Sequence, residues 1–331
     1  MGMLKENRMI KLLTIFAAMS LCATLISLTG NLIPNDAPPD NQYEWWPSRY
    51  GPQDTLGAIN ELGPTKVLEA VDLIKTGVVY DLGTEYNSNC PGFYPRMWRT
   101  TIPSSNMLFP KGVNNFTWLE EEFLGCPGIG TQLDGLGHAG IGTKFYNGVE
   151  LKDLYTPTGI AKYGMEGVPP IVTRGILIDM VSYKGRYLGP TEPITKEDIW
   201  GFLSQHGLRI EPGDAVLIYT GWMRYFREDQ DRFMFSEPGI DREAAIWLRS
   251  QRPVGVGTDQ WSTEVVPNNE VGKNLQWPCH QELITKGGIY LFQDLILDKL
   301  AADGVYEFAF IFTHPKITGT TQEIGQPIAI I

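Results

Sequence analysis

A series of short apolar runs most constrains how this chain can fold. Ile176-Leu177-Ile178 within Thr173–Met180, Ala215–Tyr219, Val254–Gly257, Ile289–Phe292 and Tyr306–Phe312 each have the length and content of a buried strand. Helical patterns stand between them. Thr195 with Asp198 forms a capping-box start for a helix carrying Ile199, Phe202 and Leu203. Asp241 opens another, through Ala244, Ala245, Trp247 and Leu248, and a third near Gln281 to Lys286 ends at Gly287-Gly288. In the first half, Pro64 and Thr65 open a helix with Val67, Leu68, Val71 and Ile74 on one face and Gly77 at its end, and Val78–Leu82 reads as a strand. Residues 83–119 read as loop-rich, with Pro91, Pro95, Pro103 and Pro110. Strands alternating with helices predict an α/β or α+β chain whose sheets are buried by helices. No repeat or composition break divides residues 43–331, which are therefore expected to form a single domain.

The first residues stand apart. Lys5, Arg8 and Lys11 precede an apolar run from Leu12 to Leu28, and polar Asn31, Asn35 and Asp36 follow. This is the pattern of an export signal over residues 1–30, or of an anchor where it is not cleaved, with a Pro-rich linker over residues 31–42. The chain is accordingly expected to be periplasmic or secreted, and held at a membrane only through an uncleaved segment. The charge balance, 27 basic against 38 acidic residues for a net −11, lacks the basic footprint that nucleic acid or an anionic lipid surface requires. Beyond Cys22, the cysteines Cys90, Cys126 and Cys279 are odd in number and form no C-x-x-C, so free thiols are expected, with room for one disulfide.

Few motifs carry chemistry. Gly135-Leu136-Gly137-His138-Ala139-Gly140 matches G-x-G-x-x-G, but the residues after it make a poor helix and those before it a poor strand, which argues against a dinucleotide loop. Four histidines are present. His206 reads as a helix-end residue and His314 as structural. His138 lies four residues after Asp134 in a glycine-rich stretch, where the pair could bind a metal, trade a proton, or simply order a tight loop.

Gly130-Thr131-Gln132-Leu133-Asp134-Gly135-Leu136-Gly137-His138 resembles the H-x-G-T-H-x-D-x-P-x-H signature of the cyclase family, which includes bacterial kynurenine formamidase and isatin hydrolase. Similarity extends through Trp46-Pro47-Ser48-Arg49-Tyr50-Gly51-Pro52, Phe145-Tyr146-Asn147-Gly148, Pro212–Ile218, Val265-Val266-Pro267 and Pro278-Cys279-His280-Gln281-Glu282-Leu283, as in a longer branch of that family. The resemblance implies a compact α/β domain of the swivelling β/β/α type, a commonly oligomeric protein, and a metal-dependent, arylformamidase-like hydrolase of an amide, formamide or lactone bond in a small molecule. By position, Asp134 takes the metal-bridging place, His138 the proton-transfer place and His280 a later ligand place. Gln293 stands where the family has a glutamate ligand. Gly128 and Gln132 stand where it has the first two histidines. These replacements argue against two zinc ions. One Zn²⁺ or Mn²⁺ on Asp134 and His280, with Gln132 and Gln293, is one expectation, and a metal-free site with His138 as base is the other. Phe93 and Tyr94 fall near a substrate-contacting aromatic, which would suit an aromatic substrate. Asp259 and Glu264, around Trp261, either reach the same pocket or stabilise a loop. An exported binding protein that keeps the pocket without the chemistry is the alternative function.

Overall fold

The structure, a computed structural model, describes residues 45–103, 109–268 and 275–331, all within the unit Pro38–Ile331. The expected export segment 1–30 and linker 31–42 lie outside the described residues. No helix among the described residues is long and apolar enough to cross a membrane.

The apolar runs become the centre of one mixed sheet. Its strands, in chain order, are β1 (Val79–Asp81), β2 (Gln132–Asp134), β3 (Ile171–Asp179), β4 (Ala215–Tyr219), β5 (Gly255–Thr258), β6 (Tyr290–Gln293), β7 (Glu307–Phe312), β8 (Gln322–Ile324) and β9 (Ile328–Ile330). They lie in the spatial order β1-β9-β7-β3-β4-β5-β6-β2-β8. Strands β3, β4, β5 and β6 are parallel neighbours, whereas β7 on β3 and β2 on β6 are antiparallel. Every residue of β4, β5 and β6 is buried, as a parallel centre covered by other elements requires.

Helix α1 (Pro64–Val71) packs against β3, while α2 (Lys196–His206) and α3 (Arg242–Gln251) pack on one another. Thr195 and Asp198 form the expected capping box, and Asp241 caps α3 through the Ala244 N–H. His206 ends α2 with its ring 4.4 Å from that of Phe202.

One local expectation is corrected. Helix α1 stops at Val71 instead of reaching Gly77, and Val67, Leu68 and Val71 are exposed. Its inward face is Lys66 and Ala70, because Lys66 donates to buried Asp214 at 2.8 Å and an ion pair fixes the helix rotation. The stretch 83–119 is loop-rich as expected, and its one short strand among the described residues, Trp98–Thr101, pairs antiparallel with Glu122–Gly125. The segment Gln281–Lys286 winds as a wide, π-type helix after a short α-helical turn, Pro278–His280.

The core beneath the sheet includes Leu133, Leu177, Leu217, Phe292, Phe308, Phe310 and Phe312. Phe292 is fully buried, with ring centroids 5.1 Å from Phe310 and 5.3 Å from Phe312. Phe292→Ala is expected to cost ~3–5 kcal/mol, as transfer and cavity costs add. Urea denaturation with an unchanged midpoint would contradict that packing.

Candidate active site

Strand pairing assembles the site. In the β2–β6 register, Gln132 lies opposite Gln293 and Leu133 opposite Phe292. Side chains alternate across a strand, so Leu133 and Phe292 enter the core while Gln132, Asp134 and Gln293 share the other face. All three polar residues are buried. Gln132 Nε2 donates to Gln293 Oε1 at 2.7 Å and to Asp134 Oδ1 at 3.3 Å. Two oxygens on this face, Gln132 Oε1 and Asp134 Oδ2, are buried without a hydrogen-bond partner. A bare carboxylate oxygen at that depth calls for a proton or a cation.

Two imidazoles face that oxygen. His138 Nε2 and His280 Nε2 each lie 3.8 Å from Asp134 Oδ2. The ligand atoms of Asp134, His138 and His280 all fall within 4.8 Å of one another. His280 is aimed by Glu264, whose Oε1 lies 2.6 Å from His280 Nδ1 and also accepts the His280 N–H at 3.1 Å. With Nδ1–H given to Glu264, Nε2 turns its lone pair to the cluster. Buried Glu282 ion-pairs with Arg242 and Arg249 of α3 and with Lys286, which ties the segment carrying His280 to that helix. Glu264→Gln is therefore expected to weaken metal binding ~10–100-fold, the usual effect of losing an outer-shell partner. Zinc titration showing wild-type affinity would assign Glu264 to the loop alone.

The two imidazoles differ electrostatically. Burial lowers the proton affinity of His138, and His280 and Arg96 add to this against the charge of Asp134. Burial also acts to lower His280, but its Glu264 hydrogen bond, the Glu264 charge and Asp134 outweigh burial and raise it. An environment that favours a proton on His280 favours a metal cation there as well. Asp294, beside Gln293, is a further buried carboxyl, pushed up to about 7 by burial and then by Asp134, with Arg96 opposing.

A cavity of about 280 Å³ opens over this cluster. Phe93, Trp261 and Trp277 form aromatic walls, with Phe93 edge-on to Trp261 at 4.8 Å and Trp261 edge-on to Trp277 at 5.5 Å. Arg96, Gln132, Ser262, Gln293, His138 and His280 also line it. Its place, beside the carboxyl ends of β5 and β6, is where open α/β sheets bind ligands.

Of the sequence candidates, Asp134, His138, His280, Gln132, Gln293 and Phe93 converge here. Tyr94 does not. It is 97% exposed, since its side chain diverges from that of its neighbour Phe93 and leaves the cavity. The two glutamines turn N–H groups to the cluster, Gln132 toward Asp134 and Gln293 to within 3.3 Å of His280 Nε2. In this orientation Gln293 Oε1 is taken by the Gln132 N–H, while Gln132 Oε1 has no hydrogen-bond partner. Asp259 is engaged elsewhere, accepting from the Thr220 N–H and hydroxyl. Cys90, Cys126 and Cys279 are free thiols. His314 is half-buried, its ring Nδ1 2.8 Å from Pro315 O. Sequence reasoning gave no role to Arg96 and Trp277, which match no signature position, or to Asp294, which directly follows Gln293. Trp277, just before Pro278-Cys279-His280, and Asp294, just after Gln293, both lay beside positions already singled out.

The family model "Putative cyclase" matches residues 72–265. The chain belongs to the cyclase family. The crystal structure of a novel cyclase superposes with a TM-score of 0.76 at 28% identity, covering 85% of this chain and 98% of that one. Isatin hydrolase A from Ralstonia solanacearum superposes at 0.57 with 19% identity, over 76% of this chain and 91% of that one. Isatin hydrolase A from Labrenzia aggregata, bound to benzyl benzoate, gives 0.56 at 21% identity, over 78% and 94%. The α/β fold expected from the resemblance is thus shared. Among curated protein sequences, none matches.

The residues fit one divalent ion. Asp134, His138 and His280 offer one carboxylate and two imidazoles, a donor set that suits Zn²⁺ or Mn²⁺, and Asp134 Oδ2 lacks any other partner. They fit two ions poorly, because Gly128 brings no side-chain donor and Gln132 and Gln293 bring only amides, weak ligands for zinc.

Proposed function

We propose that this cyclase-family protein is a metal-dependent hydrolase that opens the amide, formamide or lactone bond of a small aromatic molecule. One observation carries the reading. A buried carboxylate oxygen with no protein partner sits between two imidazoles at the base of an aromatic-walled cavity. Asp134 and His280 would hold the ion, with His138 within reach as a third ligand. A divalent ion there supplies a Lewis acid for the carbonyl and water of lowered pKa.

The chain's own groups do the rest. Glu264 fixes the His280 tautomer. Gln132 holds Asp134 Oδ1 and leaves Oδ2 directed at the cluster. His138 takes a proton from water and returns it to the leaving group. Its lowered proton affinity keeps the ring neutral near pH 7, the state a base needs. Phe93, Trp261 and Trp277 stack or edge against the substrate ring and exclude water. Export and self-association belong to the same proposal, resting on the N-terminal pattern and the family resemblance.

The test is metal content of protein purified without chelators, then hydrolysis of an N-formylkynurenine and isatin panel. About one ion per chain, a Tm raised by added Zn²⁺ or Mn²⁺, and turnover of a panel member are expected. No ion and no shift in Tm would end the metal reading. Gly128, Gln132 and Gln293, which stand in place of charged or imidazole ligands, favour a second reading, a binding protein of the same fold. Saturable binding of panel compounds without turnover, in metal-loaded protein, would establish it.

A further inference from the structure

We propose that Arg96 is the anion anchor of this cavity, and that the molecule bound there carries a carboxylate on its aromatic ring. The inference rests on reading the cavity as the substrate site. A Cβ built on Gly128 would lie 2.8 Å from Arg96 Nη1 and 3.2 Å from its Cζ, so the guanidinium fills the space a side chain at 128 would take. The absence of that side chain admits the arginine to the cavity. Arg96 Nη1 donates to the Gly128 carbonyl at 2.9 Å, which pins one arm of the fork. Among the described residues, no carboxylate ion-pairs with Arg96, although its charge is felt at His138, His280 and Asp294.

The shape of the recognition follows. A planar guanidinium matches a planar carboxylate in a paired, two-bond geometry, and its position is set before the ligand arrives. The walls beside it, Phe93, Trp261 and Trp277, take a flat ring, and about 280 Å³ limits that ring to a small one. Arg96 would then hold the acid group while Asp134, His138 and His280 face the bond to be opened.

Benzoate and benzamide have nearly the same size and differ in charge, so they serve as probes. Binding is measured on chelator-treated protein by calorimetry, with quenching of the wall tryptophans as a second signal. Benzoate is expected to bind roughly 10- to 100-fold more tightly than benzamide, the range for a paired charge-assisted contact. Arg96→Gln should abolish that preference with an unchanged Tm, and Arg96→Lys should keep only part of it. Should Arg96→Gln fail to fold, the Arg96→Lys comparison decides alone. Equal affinities for the two probes, no benzoate binding, or a full preference in a folded Arg96 variant would overturn the anchor. Because the protein is metal-free in this test, the two proposals fail separately. Benzoate preference without turnover of any panel compound overturns the hydrolase and supports the anchor. Turnover without benzoate preference does the reverse.

Discussion

His138→Ala is expected to lower kcat by ~10²–10⁴-fold on any substrate identified, the usual contribution of a positioned acid–base group. The ring lines the cavity with Nε2 3.8 Å from Asp134 Oδ2, and its backbone N–H is held by Gly135 O at 3.0 Å. Removing the side chain leaves that turn intact, so Tm should stay near wild type. Metal content separates the two roles open to this residue. Retained metal with a large loss of kcat makes His138 the proton carrier. Metal lost together with kcat makes it a ligand. More than about half of wild-type kcat would exclude both roles. His206→Ala is the control and should leave kcat unchanged, since that ring packs on Phe202 and on Tyr306 at 4.5 Å, at the end of α2.

Asp134→Asn should remove both metal and activity, because the cluster contains no other carboxylate. Affinity is expected to fall by more than the ~10–100-fold that loss of an outer-shell partner costs. In chelator the variant should be at least as stable as wild type, since it replaces a buried, uncompensated anionic oxygen with an amide. With excess Zn²⁺, wild type should gain stability and the variant should not. Equal Tm shifts in the two proteins would show that the ion binds elsewhere. Conversely, Gln132→His together with Gln293→Glu should tighten zinc binding. The two positions face each other across β2 and β6, and the changes add an imidazole and a carboxylate to the same face.

The apolar runs at 176–178, 215–219, 289–292 and 306–312 placed the central strands, and the Thr195 and Asp241 caps placed two helix starts, because these signals are local. A strand buried on both faces must be apolar, and a cap acts within one turn. The Asp134–His138 spacing and the family signature likewise marked the cluster in advance. Helix α1 misled, since its apolar stripe predicted the wrong inward face. The decisive partner, Asp214, is 148 residues from Lys66, and no local pattern shows such a pair.

The sequence by itself determined the strand-and-helix order, the acidic surface charge and the residue types that could hold a cation or move a proton. Tertiary structure decided which of them meet. Glu264 aims His280, the glutamines turn N–H groups inward, Tyr94 leaves the cavity and Arg96 enters above Gly128. These outcomes depend on strand register and loop packing, where a shift of one residue would turn each side chain to the opposite face.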